Sequence, residues 1–159
     1  MYITYGEYTA LYDGIEDKVF NRLAFDACRY LDRLTTGADG VKKLKVAMPV
    51  DEDDKASVTH CAADVINILS RIDAAEKSAA SGRSMIQTEN GVRGGVITSV
   101  SAGNESITYS TSHEKTTIDV AAGDAAARDA LIHRTIRNYL SGVADANGVN
   151  LLYMGPYPR

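Results

Sequence analysis

The chain predicts a mainly α fold, a small helical bundle with a β-hairpin insertion and an extended C-terminal tail, on three observations. Apolar residues recur at helical spacing over about 16–35, again after the acidic block 51–54, and again over about 124–141. Between about 81 and 111 the pattern changes: glycine and serine thicken and β-branched residues alternate with small polar ones, as strands and turns require. Residues 151–159 place an apolar and aromatic load, broken by two prolines, where chains usually fray.

The 159 residues show no composition break, so one helical domain over 1–142 is expected, with the hairpin at about 94–111 and the tail over 143–159. A chain of this length buries roughly two-thirds of its unfolded surface and needs no staple. Cys28 and Cys61 fall on apolar helix faces, where a thiol packs as a small hydrophobe. No charged leader precedes an apolar run, and no run approaches the roughly 20 residues of a bilayer span, so a soluble protein without a membrane partner is expected. The net charge of −4 argues against strong nonspecific binding to DNA.

Taken in order, Thr4 and Glu7 have the capping-box spacing, opening a short helix to about Leu11 that Gly14 stops. Tyr2, Tyr5, Tyr8 and Tyr12 advance in steps of three and four, a stripe that suits core packing or a subunit contact. The second helix keeps Val19, Phe20, Leu23, Ala24, Ala27, Cys28, Leu31 and Leu34 on one stripe and Arg22, Asp26, Arg29 and Asp32 on the wet side, ending at Gly37. Lys42, Lys43 and Lys45 then cluster in a loop; a solvated run is one reading and weak contact with passing DNA another. Acids at 51–54 favour the start of a third helix, whose stripe Val58, Cys61, Ala62, Val65, Ile66, Leu69 and Ile72 should meet the second. In the hairpin, Val96, Thr98 and Val100 face one way, Gly103-Asn104 turns, and Ile107 to Tyr109 return; a pair this small must lie on the helices or on a neighbour. The last helix points Leu131, Ile132, Ile136, Tyr139 and Leu140 inward and stops at Gly142. A polar connector, 145–148, is expected to give the tail reach, and Leu151, Leu152, Tyr153, Met154 and Gly155 to seek a groove or a sheet edge, either on another chain or back on their own domain.

Chemistry finds little footing. His60 and Asp64 lie one helical turn apart, but two ligands make only part of a metal's set. His113 and His133 have no serine or cysteine partner in a nucleophile motif. Gly94-Gly95 lacks both the spaced glycines of a dinucleotide site and a Gly-Lys-Ser/Thr ending. No catalytic, cofactor-binding or metal residue is assigned, no cofactor is expected, and the chain is read as a non-enzyme.

The order of parts is more specific than any one of them. The segment YITYGEYTAL, the helix FNRLAFDACRYLDRLT, a second long helix after an acidic loop, the strand pair GVITSVSAGNESITYS and the ending RNYLSGVADANGVNLLYMG resemble, over nearly the whole chain, the head-tail connector (adaptor) proteins of long-tailed bacteriophages and prophages. Met154 stands where a basic residue commonly precedes the final glycine, and the spacer 141–150 is longer. The resemblance implies a structural neck protein of the virion, made in the host cytoplasm. It would form a ring, twelvefold, beneath the portal protein and extend the DNA exit channel toward a downstream neck or tail-completion protein. On that picture Tyr2, Tyr5, Tyr8, Tyr12, Val96, Thr98, Ile107 and Tyr109 are subunit-interface candidates. Residues 151–155 would dock on the portal, and Lys42, Lys43 and Lys45 would face passing double-stranded DNA without reading its sequence. A tail-completion or terminator ring remains an alternative, as does a small host regulatory or nucleic-acid-binding domain.

Overall fold

The computed structural model describes the backbone of residues 1–158 apart from 82–84, 89–90, 95–98, 103–104 and 109–115, and side chains outside 81–115. It is mainly helical. Helix α1 spans Tyr5–Leu11, α2 Asp17–Leu34, α3 Lys43–Val46, α4 Glu52–Ser81, α5 Thr117–Gly123 and α6 Ala125–Leu140. The short helices α3 and α5 add to the four expected.

Three helices, α1, α5 and α6, start on a side-chain cap that satisfies orphan amides, whereas α2 and α3 start without one. Thr4 and Glu7 form the reciprocal capping box expected of them, with the Glu7 amide donating to Thr4 Oγ1 at 3.3 Å and the Thr4 amide to Glu7 Oε2 at 2.7 Å. Thr116 and Asp119 repeat the device on α5. Asp124 caps α6 by accepting from the Ala126 amide at 2.9 Å. At the far ends, Gly14 and Gly142 sit at φ of +97° and +86°, the left-handed region a side chain resists. Thr4→Ala removes the α1 cap and should destabilise the fold by about 1 kcal/mol in urea unfolding, with Glu7→Gln costing less because its amide still accepts.

Helix α4, 30 residues and therefore about 45 Å long, is the axis of the bundle and packs against α2, α5 and α6. The apolar stripes fall where the spacing put them. Phe20, Leu23, Ala24, Ala27 and Leu31 of α2 meet Val58, Cys61, Ala62, Val65, Ile66 and Leu69 of α4, and Ile132, Ile136 and Leu140 of α6 close the core. Cys61 is fully buried, and that burial pushes its thiol up to about 12, so it packs as a hydrophobe.

Two features of the N-terminal half differ from expectation. The tyrosine stripe turns inward: Tyr8 is buried, its ring 5.5 Å from Phe20, while Tyr5 lies 5.3 Å from the same ring and donates its hydroxyl to the Ile15 carbonyl at 3.0 Å. Tyr2 and Tyr12 pack on the same cluster, with their hydroxyls on Asp32 and Asp64. The stripe is thus an intramolecular seam joining α1 to α2 and α4, with Tyr8 buried and Tyr2, Tyr5 and Tyr12 left half-exposed. Asp32, expected on the wet side of α2, is buried, because Tyr2 and two lysines converge on it.

Between α4 and α5 the backbone forms two antiparallel strand pairs. β1 (Met85–Thr88) pairs with β2 (Gly91–Gly94) and β3 (Ser99–Ala102) with β4 (Glu105–Thr108), and among the described residues each strand pairs only with its own partner. The hairpin expected over about 94–111 falls partly outside the described residues, as do its interface candidates Val96, Thr98 and Tyr109; Ile107 lies in β4 opposite Val100.

Among the described residues, no helix is long and apolar enough to cross a membrane.

Candidate docking surface at the C-terminal segment

Residues 143–158 do not leave the bundle as a free tail. Gly142 turns the chain back from α6, Val143 enters the core, and the stretch that follows closes into a tight loop bridged between Ala144 and Asn150. Its organiser is the buried carboxylate of Asp145. Oδ1 accepts from the amides of Asn147 at 2.8 Å and Val149 at 2.9 Å, while Oδ2 accepts from the Tyr157 hydroxyl at 2.6 Å. Asp145 also exchanges backbone bonds with Val149 and Gly148, the latter at φ +74°. The connector expected to give reach is therefore a clamp: the same Asp, Asn and Gly that read as a polar spacer form a side-chain-to-backbone turn.

Leu151 follows directly and is fully buried among the helices, its amide donating to the Val143 carbonyl at 2.9 Å. Its expected place on a docking surface is corrected, since the loop feeds it into the chain's own core. Leu152 is half-buried against that core.

The other wall of this site is the turn 36–42, bridged between Thr36 and Lys42, with the Gly37 amide donating to the Val41 carbonyl at 2.9 Å. The turn delivers Lys43 into the interior. Lys43 has no exposed surface; its Nζ donates to the Leu151 carbonyl at 3.1 Å and to the Tyr153 carbonyl, and lies 5.7 Å from the centre of the Tyr153 ring. Burial pulls the Lys43 ammonium down in pKa, and the nearby Asp145 and Asp39 carboxylates pull it partly back. Further along, the Ala38 amide donates to the Gly155 carbonyl at 3.3 Å and the Tyr157 amide to Asp39 Oδ2 at 3.0 Å. A Cβ on Gly37 would come to 3.0 Å from the Gly155 carbonyl oxygen, a backbone approach that favours glycine, while one on Gly155 would displace the ring of the half-exposed Tyr153.

The three lysines proposed for a DNA channel thus separate. Lys43 is an internal strap and is corrected from that role. Lys45 stands 3.1 Å and Lys42 4.0 Å from Asp32 Oδ2, so both compensate a buried acid while their own side chains stay about half exposed, at 59% and 53%.

What the segment leaves outward is its tip. Tyr153 is 49% and Met154 65% exposed, on a stem fixed by Leu151, Lys43 and Asp145. Other large apolar side chains on the surface are Phe25 at 63%, Val46 at 62% and Val50 at 68%.

The remaining sequence candidates are structural. His60 is exposed, and its neighbour Asp64 takes the Tyr12 hydroxyl on Oδ1 and the Tyr139 hydroxyl on Oδ2, the latter at 2.7 Å. Burial first and then Asp64 push Tyr12 up to about 12; Asp64 first and then burial do the same to Tyr139. No group of three or more possible metal ligands occurs among the described residues. His133 stacks edge-on to Tyr30 at 6.3 Å, with its Nε2 buried and unpartnered among the described residues, and His113 lies outside them. The residues sequence reasoning missed are Asp145, Asp39 and Lys43 as braces of the terminal segment; the Asp-x-Asn-Gly spacing at 145–148 was the available signal.

No protein-family model matches this chain, and neither a curated protein nor a solved structure matches it.

Proposed function

We propose that this protein is a structural coupling subunit, a head-tail connector of a long-tailed phage or prophage. It would assemble as a ring beneath the portal, extend the DNA exit channel and dock through the tip of its C-terminal segment. The observation that carries the reading is the presentation of Tyr153 and Met154. Two large, largely apolar side chains stand outward on a stem that is hydrogen-bonded on both sides, and that stem forgoes most of the ordering entropy a loose tail would lose on binding. An aromatic and a methionine side by side are the kind of anchor that dominates protein interfaces.

Ring closure needs two different patches per subunit meeting head to tail. Phe25 on α2, and Val46 and Val50 on either side of the α3 exit, are exposed apolar candidates for these patches. The strand-pair segment, with Ile107, would supply a further inter-subunit contact through its edges. DNA would pass such a ring without being gripped, in keeping with the acidic balance of the chain.

The test replaces the tip and spares the stem. Tyr153→Ser with Met154→Ser should keep the fold, costing at most about 1 kcal/mol for the loss of the Tyr153 ring beside Lys43, and weaken association with the cognate portal protein at least about tenfold, read by pull-down and by light scattering. Undiminished association would remove the docking role. Capture of tail-tube protein in place of portal would move the ring to the tail end.

A further inference from the structure

A second site, unrelated to the terminal segment, lies in the cleft of about 590 Å³ lined by Asp26, Arg29, Tyr30 and Arg33 of α2, Leu69 of α4, Arg128 of α6 and Lys42 with Asp32. In a chain whose net charge is −4, this cleft gathers four cationic side chains against two carboxylates. One of those carboxylates is already occupied, and one of the cations with it: Asp32 is 3.1 Å from Lys45 and 4.0 Å from Lys42 and accepts the Tyr2 hydroxyl. Arg128 is held from behind, its Nε donating to the Ala121 carbonyl at 3.3 Å and its terminal nitrogen to Glu76. Arg29 and Arg33 are exposed and make no ion pair among the described residues; the Arg29 guanidinium lies 6.0 Å over the Phe25 ring, which orients it without neutralising it. The lining is completed by Leu69 and by Tyr30, whose hydroxyl is fixed on Asp129 at 2.8 Å.

We propose that this cleft binds a small polyphosphate anion, of the pyrophosphate or triphosphate class. Guanidinium forks match phosphate oxygens two at a time, and Arg29 and Arg33, one helical turn apart on α2 and without an ion pair among the described residues, supply two such forks, with Arg128 adding what its bonds to Glu76 and the Ala121 carbonyl leave free. The volume falls in the range of small-ligand sites, roughly 300–1,000 Å³. Asp26 sets the selectivity: its carboxylate opposes any anion, so a ligand must carry several charges spread over several oxygens to profit from the cations around it.

Isothermal titration of the full chain with inorganic triphosphate tests this. Single-site saturation with Kd below about 1 mM is expected, weakening as salt is raised. Arg29→Gln and Arg33→Gln, both surface changes that spare the core, should each weaken binding about tenfold. Asp26→Asn should tighten it, and Arg134→Gln, on the exposed side of α6 and outside the cleft, should leave it unchanged. Absence of saturation, equal weakening by Arg134→Gln, weakening by Asp26→Asn, or binding of duplex DNA without binding of triphosphate would each overturn the assignment.

Discussion

Lys43→Met should unfasten the C-terminal segment from the bundle and destabilise the fold by about 2–4 kcal/mol. The replacement keeps the length and the apolar stem of the lysine and removes only the ammonium, so the loss reports on its bonds. Those bonds run to the Leu151 and Tyr153 carbonyls. A hydrogen bond to a charged donor contributes about 1.5–3 kcal/mol, and a carbonyl left buried without its partner costs its own desolvation. Against this stands the relief of burying a cation, visible in the lowered pKa of Lys43, which holds the net effect below the sum of two such bonds. The loss should be local before it is global. Hydrogen exchange at the Ala38 and Tyr157 amides, which bond across the seam to Gly155 and Asp39, should speed up well before exchange in α4. Urea unfolding gives the total. Unchanged protection at both amides would mean that Asp145 and the Leu151 side chain hold the segment alone and that Lys43 is a passenger.

That a lysine holds the segment is also where the sequence was hardest to read. The stripes of α2, α4 and α6 were legible because burial of a helix face repeats in the chain at a period that composition cannot hide, and Phe20, Ile66 and Ile136 are core for that reason. The capping boxes at Thr4 and Thr116 are equally local, though only the first was recognised; α5 and α3, of seven and four residues, are too short to show a period. Lys43 sits between two other lysines, and nothing in KKLK says that the middle of the three turns inward. Its burial is decided more than a hundred positions later, by carbonyls that carry no side-chain signature. Asp32 has the same history: helical spacing gave it a wet face, and Lys42, Lys45 and Tyr2, brought in from two other segments, made that face dry. The terminal apolar load was read correctly as something that must be covered, but its first residue is covered in cis. The part left exposed is the two-residue tip, Tyr153 and Met154, and that division depends on the 145–150 turn. Local physics is legible from local sequence, whereas a contact made by closing the chain on itself is legible only when both halves advertise it.

Asp64 is such a contact in polar form, and replacing it should produce the most distinctive pH signature in the molecule. Its two oxygens take the hydroxyls of Tyr12, from the end of α1, and Tyr139, from α6, so one carboxylate on α4 ties three helices together. Asp64→Ala strands two half-buried phenols and should cost about 1–3 kcal/mol at neutral pH, since water reaches them only in part. The alkaline limb discriminates further. Both phenols are held up at about 12, against roughly 10 for a tyrosine in the unfolded chain. The folded state therefore keeps these protons where the unfolded state has shed them. Their stabilising contribution is fully present below pH 10 and is lost as pH rises toward 12. Wild type should accordingly lose stability over that interval. In Asp64→Ala the carboxylate no longer opposes tyrosinate, so both folded pKa values fall, Tyr139 further than Tyr12, whose shift owes most to burial, and the slope becomes shallower, narrowing the gap between the two proteins as pH rises. Ultraviolet titration of tyrosinate on the folded proteins would show the same change directly, with the late ionisations of Tyr12 and Tyr139 moving to lower pH in the variant while those of tyrosines away from Asp64, such as Tyr2 and Tyr30, stay where they are. A variant that keeps both late ionisations and the full alkaline slope would show that burial alone raises the phenols and that Asp64 does not join α1 and α6 to the axis of the bundle.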